Sequence, residues 1–363
     1  MSTFGKAIPI NLFGESHGKA VGITINNLPG GIQLDIEKIN QELFKRRPKS
    51  NLSTPRREQD ELTFLSGYFE GKTTGTPLTI VINNLDTRSR DYTPNILRPS
   101  HADYTSHMKY NQSQDYRGGG HFSGRLTTPI VILGAIASQI LEQKGIIIAS
   151  HINSIKDQND LSFSDFNPTS EDLKKLLQSD FPLINEDNKT LFEEVILNAK
   201  ANKNSVGGTI ETCILNVPVG YGDPFFDSIE SILAHLLFSV PAIKGVEFGK
   251  GFDITKLFGS EANDSFTVEN GNITTKTNNS GGIQGGISNG MPITFKVAVK
   301  PTASIGVPQE TVDIESMTPT VLELKGRHDP CIVHRVVHVI NAITAYGILE
   351  VMTRKEGHSW INS

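Results

Sequence analysis

Two histidines, each set among glycines and charged residues, are the first places where this chain could do chemistry. Gly14-Glu15-Ser16-His17-Gly18 matches the pattern G-x-S-x-G, which in serine hydrolases sits on a strained turn between a strand and a helix. A strand-like stretch, Ala7 to Leu12, precedes it, but Lys19 to Ile25 follows and alternates like a second strand. The helix that a nucleophile elbow needs is missing from the pattern. A glycine-flanked turn that carries a histidine stands beside the Ser16 nucleophile as the plainer reading. The second histidine lies in Arg98-Pro99-Ser100-His101-Ala102-Asp103, followed by Asp115-Tyr116-Arg117-Gly118-Gly119-Gly120. Such glycines let backbone N–H groups close around an anion, and a helix starting near Thr127 adds its positive N-terminal dipole. Arg98, Arg117 and Arg125 bracket the triplet. Arg46, Arg47, Arg56 and Arg57 are either a solvated basic face or part of the same site. Guanidinium forks match phosphate and carboxylate bidentately, so this many arginines near glycine-rich loops point to a small polyanionic substrate.

A third cluster comes late. Gly281 to Gly290 is too glycine-dense for a helix or strand interior and is not the G-x-G-x-x-G of a dinucleotide fold. Lys300-Pro301-Thr302-Ala303-Ser304 offers a cation and hydroxyls at a strand end, and Gly326-Arg327-His328-Asp329-Pro330-Cys331 follows. His328, Cys331, His334 and His338 have spacings open to zinc. The helical pattern from Val333 to Ile343 turns some of them apart, and nothing completes a ligand shell, so no metal is expected.

The elements that must position these groups are mixed in order. Val21 to Ile25 reads as a strand running into the turn Pro29-Gly30-Gly31. Asp35 is placed to cap a helix with Ile36, Ile39, Leu43 and Phe44 at helical spacing, ended by Lys45-Arg46-Arg47 and Pro48. Leu78 to Ile82 is a buried strand, Thr127 to Lys144 a helix, and Ile146 to Ile148 a strand. Residues 156–204 form a polar surface excursion with two short helices, one at Thr169-Ser170-Glu171 and one opened by the capping box Thr190 to Glu193. Thr209 to Val217 and Ile293 to Val299 are strands, Asp227 to Val240 is a helix, and 259–280 is an Asn-rich mobile loop. No repeat of 20 to 50 residues exists. This order favours an α+β fold over regular βαβ winding.

Composition excludes whole classes. The 363 residues carry 34 Lys+Arg against 39 Asp+Glu, a net charge of −5, which argues against nucleic acid or an anionic membrane as partner. Cys213 and Cys331 alone cannot build a disulfide framework, and a reducing cytoplasm fits. Met1 to Pro9 lacks the features of a signal peptide. The apolar run Pro129 to Ile148 is broken by Gln139, Glu142, Gln143 and Lys144, too polar for a membrane span.

Taken in order, Gly14–Gly18, Arg98–Asp103, Asp115–Gly120, Gly281–Gly290, Lys300–Ser304 and Gly326–Cys331 closely resemble the motifs of the chorismate synthase family, nearly end to end. The resemblance implies a single large β-α-β sandwich domain over residues 1–363, assembled as a homotetramer. It implies a 1,4-anti elimination of phosphate from 5-enolpyruvylshikimate 3-phosphate with reduced FMN and no net redox change. His17 would be the acid to the departing phosphate, His101 the proton donor to the reduced flavin, and Asp329 would act with the flavin on the ring proton. Arg46, Arg98 and Arg125 would hold substrate anions. His121, Phe122, Ser123, Gly285, Lys300, Pro301, Thr302, Ala303, Ser304 and Arg327 would hold FMN. Arg46 would also meet NADPH, the upstream reductant, with or without a separate flavin reductase. The chain departs from the family at His121-Phe122-Ser123, where many members have Arg-Ser-Ser. Leu52 stands for an arginine, and Pro241-Ala242 for Asn-Ala.

Overall fold

The structure is a computed structural model that describes residues 2–48, 52–53, 58–86, 94–324 and 329–363. Alternating sequence builds its first sheet. β1 (Thr3–Phe4), β2 (Ile10–Gly14) and β3 (Ala20–Ile25) precede α1 (Ile36–Arg46) and β4 (Thr63–Ser66). The short hairpin β5 (Tyr68–Phe69) and β6 (Lys72–Thr73) then leads to β7 (Leu78–Asn83). The strands pair antiparallel in the order β1-β2-β3-β7-β4. Val21, Ile23 and Ile25 on β3 and Leu78, Ile80 and Ile82 on β7 are buried, as a period of two requires. The Asp35 carboxylate accepts the Lys38 N–H at 3.0 Å and caps α1 as read from the sequence. Ile39 and Leu43 are buried, whereas Phe44 remains exposed.

Next come α2 (Asp103–Lys109), α3 (Thr127–Gln143), β8 (Ile147–Ile155), β9 (Gln158–Asn159), α4 (Ser170–Gln178), α5 (Lys189–Ala201), β10 (Gly208–Leu215), α6 (Ile229–Ser239) and β11 (Ile243–Phe248). The chain continues through α7 (Gly259–Ala262), β12 (Phe266–Glu269), β13 (Asn272–Thr275), β14 (Ile283–Gln284), β15 (Ile287–Ser288) and β16 (Ile293–Val299). It ends with the hairpin β17 (Gln309–Asp313) and β18 (Thr318–Leu322) and with α8 (Val333–Glu356). A second antiparallel sheet has the order β11-β16-β10-β8-β9. Between the sheets α3 and α8 pack on each other, α3 against β3 and β7 and α8 against β8 and β10. The result is an α+β sandwich of sheet, helices and sheet. By length and composition α8 and the stretch Arg117–Gln143 could cross a membrane, yet their apolar windows are 94% and 83% buried inside the protein. A helix apolar all round is what the middle layer of such a sandwich demands.

The ends of the chain meet in this layer. Glu350, wholly buried on α8, accepts the backbone N–H groups of Lys6 (2.6 Å), Ala7 (3.0 Å) and Ile8 (2.8 Å) and the Nε–H of Arg354 (2.8 Å). The excursion at 156–204 covers the outer face of the second sheet, with Phe163, Leu173 and Leu176 packed on Ala149, Cys213 and Leu215. There His151 on β8 lies between two carboxylates, Nε2 3.0 Å from Glu211 and Nδ1 3.5 Å from Asp160.

Three local expectations are corrected. Thr190 to Glu193 is no capping box, because the turn Glu186–Asn188 runs straight into α5 at Lys189; the reciprocal box is Thr169 with Asp172. Residues 259–280 hold α7 and the β12–β13 hairpin, organised by Asp264, which accepts from Thr277 Oγ1 (2.7 Å), Asn279 N (2.7 Å) and Ser280 N (2.9 Å). The glycine-dense run at 281–290 is itself a hairpin, β14 and β15 closed by Gly285-Gly286.

Candidate active site

The glycine-rich motifs distant in sequence meet at one end of the first sheet. The Gly14–Gly18 loop joins β2 to β3, so a strand follows Ser16 and no nucleophile elbow exists. Ser16 is wholly buried, its N–H donating to Gly120 O at 3.0 Å. The ring of His17 lies against Gly118 (φ +62°), where a Cβ would stand 2.5 Å from His17 Nε2. Only glycine allows that approach. Asn84, just past β7, ties the loop down: its amide donates to Glu15 O (3.0 Å) and Gly18 O (2.9 Å). His121 Nδ1 donates to Gly14 O at 2.9 Å, which leaves Nε2 to accept from Ser2 Oγ at 2.7 Å.

Beside this loop opens a cavity of about 770 Å³, a volume typical of small-molecule sites. Gly118, His101, His121, Phe122 and Ser123 line it, with Arg46, Arg98 and Arg125, the run Lys300–Ser304, and Asp329. Ile130, Val240, Ile243, Ile332, Val336 and Val339 supply apolar wall. His17 is not itself among the lining residues; Gly118 stands at the wall against it. Arg117 is turned onto Asp115 by a bidentate pair at 2.7 and 2.8 Å and does not reach the cavity. Gly285 sits at the β14–β15 tip near the start of α6, where Ile229 N–H donates to Gly286 O at 3.0 Å. The opposite end of α6, Ser239 with Val240, borders the cavity, so Gly285 is not brought to it within this chain. Arg56, Arg57, Arg327 and His328 lie outside the described residues. His334 Nε2 meets Ser53 Oγ at 2.8 Å and His338 Nε2 meets Asp180 O at 3.4 Å, so the two do not converge.

Carboxylates set the geometry of the cations. Asp103 accepts from Arg98 Nε (2.8 Å) and Nη2 (2.7 Å) and from His101 Nδ1 (2.6 Å). Burial opposes its ionisation, but the hydrogen bonds from His101 and Arg98 outweigh burial and hold the carboxyl far below the usual range. With Nδ1 engaged, His101 Nε2 is the atom turned toward Gly119, where a Cβ would stand 3.3 Å away. Asp329 pairs with Arg335 Nη1 at 2.9 Å, and Arg335 Nε donates to Arg46 O at 3.0 Å, joining α8 to the end of α1. Thr302 Oγ1 donates to Asp329 O at 2.7 Å, and Lys300 Nζ to Ser100 O at 2.6 Å. Deepest of all, Asp60 faces Arg46, Arg47 and Arg125 together. Burial pulls the Arg46 guanidinium down to about 9 against the attraction of Asp60.

The sequence profile of the chorismate synthase family matches residues 8–353. The chain belongs to the chorismate synthase family. It is therefore an enzyme, a lyase. The chorismate synthase of Thermococcus gammatolerans is 44% identical over 360 residues, covering 97% of this chain and 98% of its own. That of Methanococcus aeolicus is 44% identical over 374 residues, covering 98% of each. A crystal structure of chorismate synthase superposes with a TM-score of 0.77 at 29% identity, covering 99% of this chain and 96% of that one. Against the family's motifs, sequence reading left out Asp60, Asn84 and Arg335. Arg335 had a faint signal, six positions after Asp329 at the start of a helix. Asp60 and Asn84 had none, because each acts on arginines and loops far away in the chain.

Proposed function

We propose that the chain forms chorismate from 5-enolpyruvylshikimate 3-phosphate by 1,4-anti elimination of phosphate, with reduced FMN, in the cytoplasm and as a homotetramer. The observation that carries this reading is the cavity itself, where Arg46 and Arg125 sit at 5% exposure beside the glycine loop and His101. Arg46 Nε is buried there with no partner, and a buried guanidinium nitrogen left unpaired calls for a ligand anion.

The lining also fits a flavin. Its apolar wall suits a planar ring system, and Lys300, Thr302, Ser304 and Ser123 supply a cation and hydroxyls for a phosphate-bearing tail. His121, Phe122, Pro301 and Ala303 would border it, with Arg327 as a further contact taken from the family and Arg46 as the meeting point for NADPH. Reduced FMN, when bound, would supply electron density for cleavage of the C–O bond with no net oxidation.

The chain's own part is binding and proton movement. Arg46, Arg98 and Arg125 hold the substrate's anions and fix its ring. A phosphate dianion leaves poorly until protonated, and the His17 imidazole supplies that proton near neutral pH. His101, its Nδ1 fixed by Asp103, offers its Nε2 proton toward the flavin. Asp329, held by Arg335, takes up the proton lost from the ring. The C–H bond on the opposite ring face breaks and its electron pair forms a new double bond, the existing ring double bond shifts, and the C–O electron pair leaves with the phosphate, which gives the diene.

The test is anaerobic turnover with chemically reduced FMN. Phosphate and chorismate should appear in equal amounts, with no stoichiometric oxidation of flavin. One flavin oxidised per chorismate, or no chorismate at all, refutes the reading. Whether NADPH alone sustains turnover, or a separate flavin reductase must be added, is read from the same assay.

A further inference from the structure

Asp60 stands behind the arginines of the cavity and is not itself part of the lining, and no substrate or flavin contact is expected of it. Its side chain is wholly buried, and its backbone lies at φ +52°, a conformation that a non-glycine residue adopts only at a cost. Oδ1 accepts from Arg125 Nη1. Oδ2 accepts from Arg47 Nε at 3.0 Å and lies 3.4 Å from Arg46 Nη2. Each nitrogen of Arg125 has a partner, with Nε on Asn84 Oδ1 (2.9 Å) and Nη2 on Asn83 O (3.3 Å). Arg46 is held more loosely, its Nη1 3.5 Å from Thr127 Oγ1 and its Nε unpartnered.

Three guanidiniums around one oxyanion is also how a protein grips free phosphate. The carboxylate of Asp60 occupies that position from within. We propose that Asp60 is a positioning residue, an internal anion that spaces Arg46 and Arg125 for the substrate and keeps inorganic phosphate from lodging between them. This rests on the reading above only in taking the substrate to be a phosphate ester. If phosphate is also a product, an uncompensated trio of buried arginines would retain it after every turnover. Asp60 lets the arginines bind anions firmly but reversibly.

Two variants of the FMN-loaded enzyme separate charge from position. Asp60→Asn removes the charge; Asp60→Glu keeps it and misplaces it by one methylene. In D60N the inhibition constant for inorganic phosphate should fall roughly tenfold, the worth of one charge-assisted hydrogen bond, while kcat/KM falls at least as far. In D60E kcat/KM should fall while phosphate inhibition stays near wild type. Phosphate binding is followed in parallel by the rise it causes in the thermal midpoint, a readout independent of turnover. Failure of wild-type turnover would therefore strike the proposed reaction and leave the Asp60 comparison intact. A folded D60N that binds phosphate no more tightly than wild type overturns the proposal, because a merely structural carboxylate would not exclude anions. If D60N does not fold, D60E decides, and wild-type kcat/KM in that variant overturns the positioning role.

Discussion

His17 and Ser16 are neighbours that both face Gly118, and the contrast expected between them is the sharpest residue-level test. Ser16 is wholly buried, whereas His17 is only half-buried, its ring against Gly118 at the cavity wall. Replacing His17 with Ala should cost roughly 10²–10⁴-fold in turnover, the usual worth of a positioned general acid. Substrate affinity should largely survive, because the arginines act in the ground state and an acid acts in the transition state. Ser16→Ala should cost only about 1 kcal/mol, roughly fivefold, the worth of one hydrogen bond. Near-normal turnover in the His17 variant would remove the assigned acid, and a folded but dead Ser16 variant would restore the nucleophile. The histidine motifs were legible because their residue types are contiguous. Asp60 was not, because its meaning depends on Arg46, Arg47 and Arg125 arriving from two other elements.

At the scale of elements, the excursion α4–α5 is fastened to the second sheet by a buried charge cluster. His151 sits between Glu211 and Asp160; Glu211 also accepts from Ser162 Oγ (2.7 Å) and Phe163 N (2.8 Å), and Lys296 Nζ stands 3.7 Å away. Burial disfavours a charged imidazole, but its interactions with the accepting carboxylates of Asp160 and Glu211 outweigh burial and raise its pKa above the ordinary value. A raised pKa means that the contribution to stability is complete below about pH 6.5, the unfolded value. That contribution is lost as pH rises through the folded value. His151→Ala removes the cation shared by two buried carboxylates and should cost about 3–5 kcal/mol in chemical denaturation. The loss should shrink toward alkaline pH, and a variant equally stable at pH 6 would refute the fastening. Strong periodicity made Ile293 to Val299 and the Asp35-capped helix readable in advance. The hairpin at Phe266 to Thr275 was not, because its polar run is organised by Asp264 across 13 to 16 residues, beyond any local pattern.

For the whole molecule, the sandwich follows from two long apolar helices that need a sheet on either side, a demand visible in composition but not in strand order. Which strands pair, and that Gly285 lies at the far end of α6 from the cavity, depends on topology alone. Large apolar side chains remain outside the sandwich: Phe225, Phe226, Phe252 and Phe258 are 83%, 93%, 80% and 78% exposed. Exposed aromatic surface is a place where a partner can dock, and the homotetramer proposed above would supply one. Sedimentation should give a species of four times the chain mass, and a clean monomer at micromolar concentration would sink that assembly.

Glu350 gives the molecule an order in time. The three N–H groups that it accepts belong to residues 6–8, some 342 to 344 positions earlier. During synthesis the loop between β1 and β2, which carries these donors, leaves them to water until α8 has been made. The carboxylate that fixes this loop is thus made long after the loop itself.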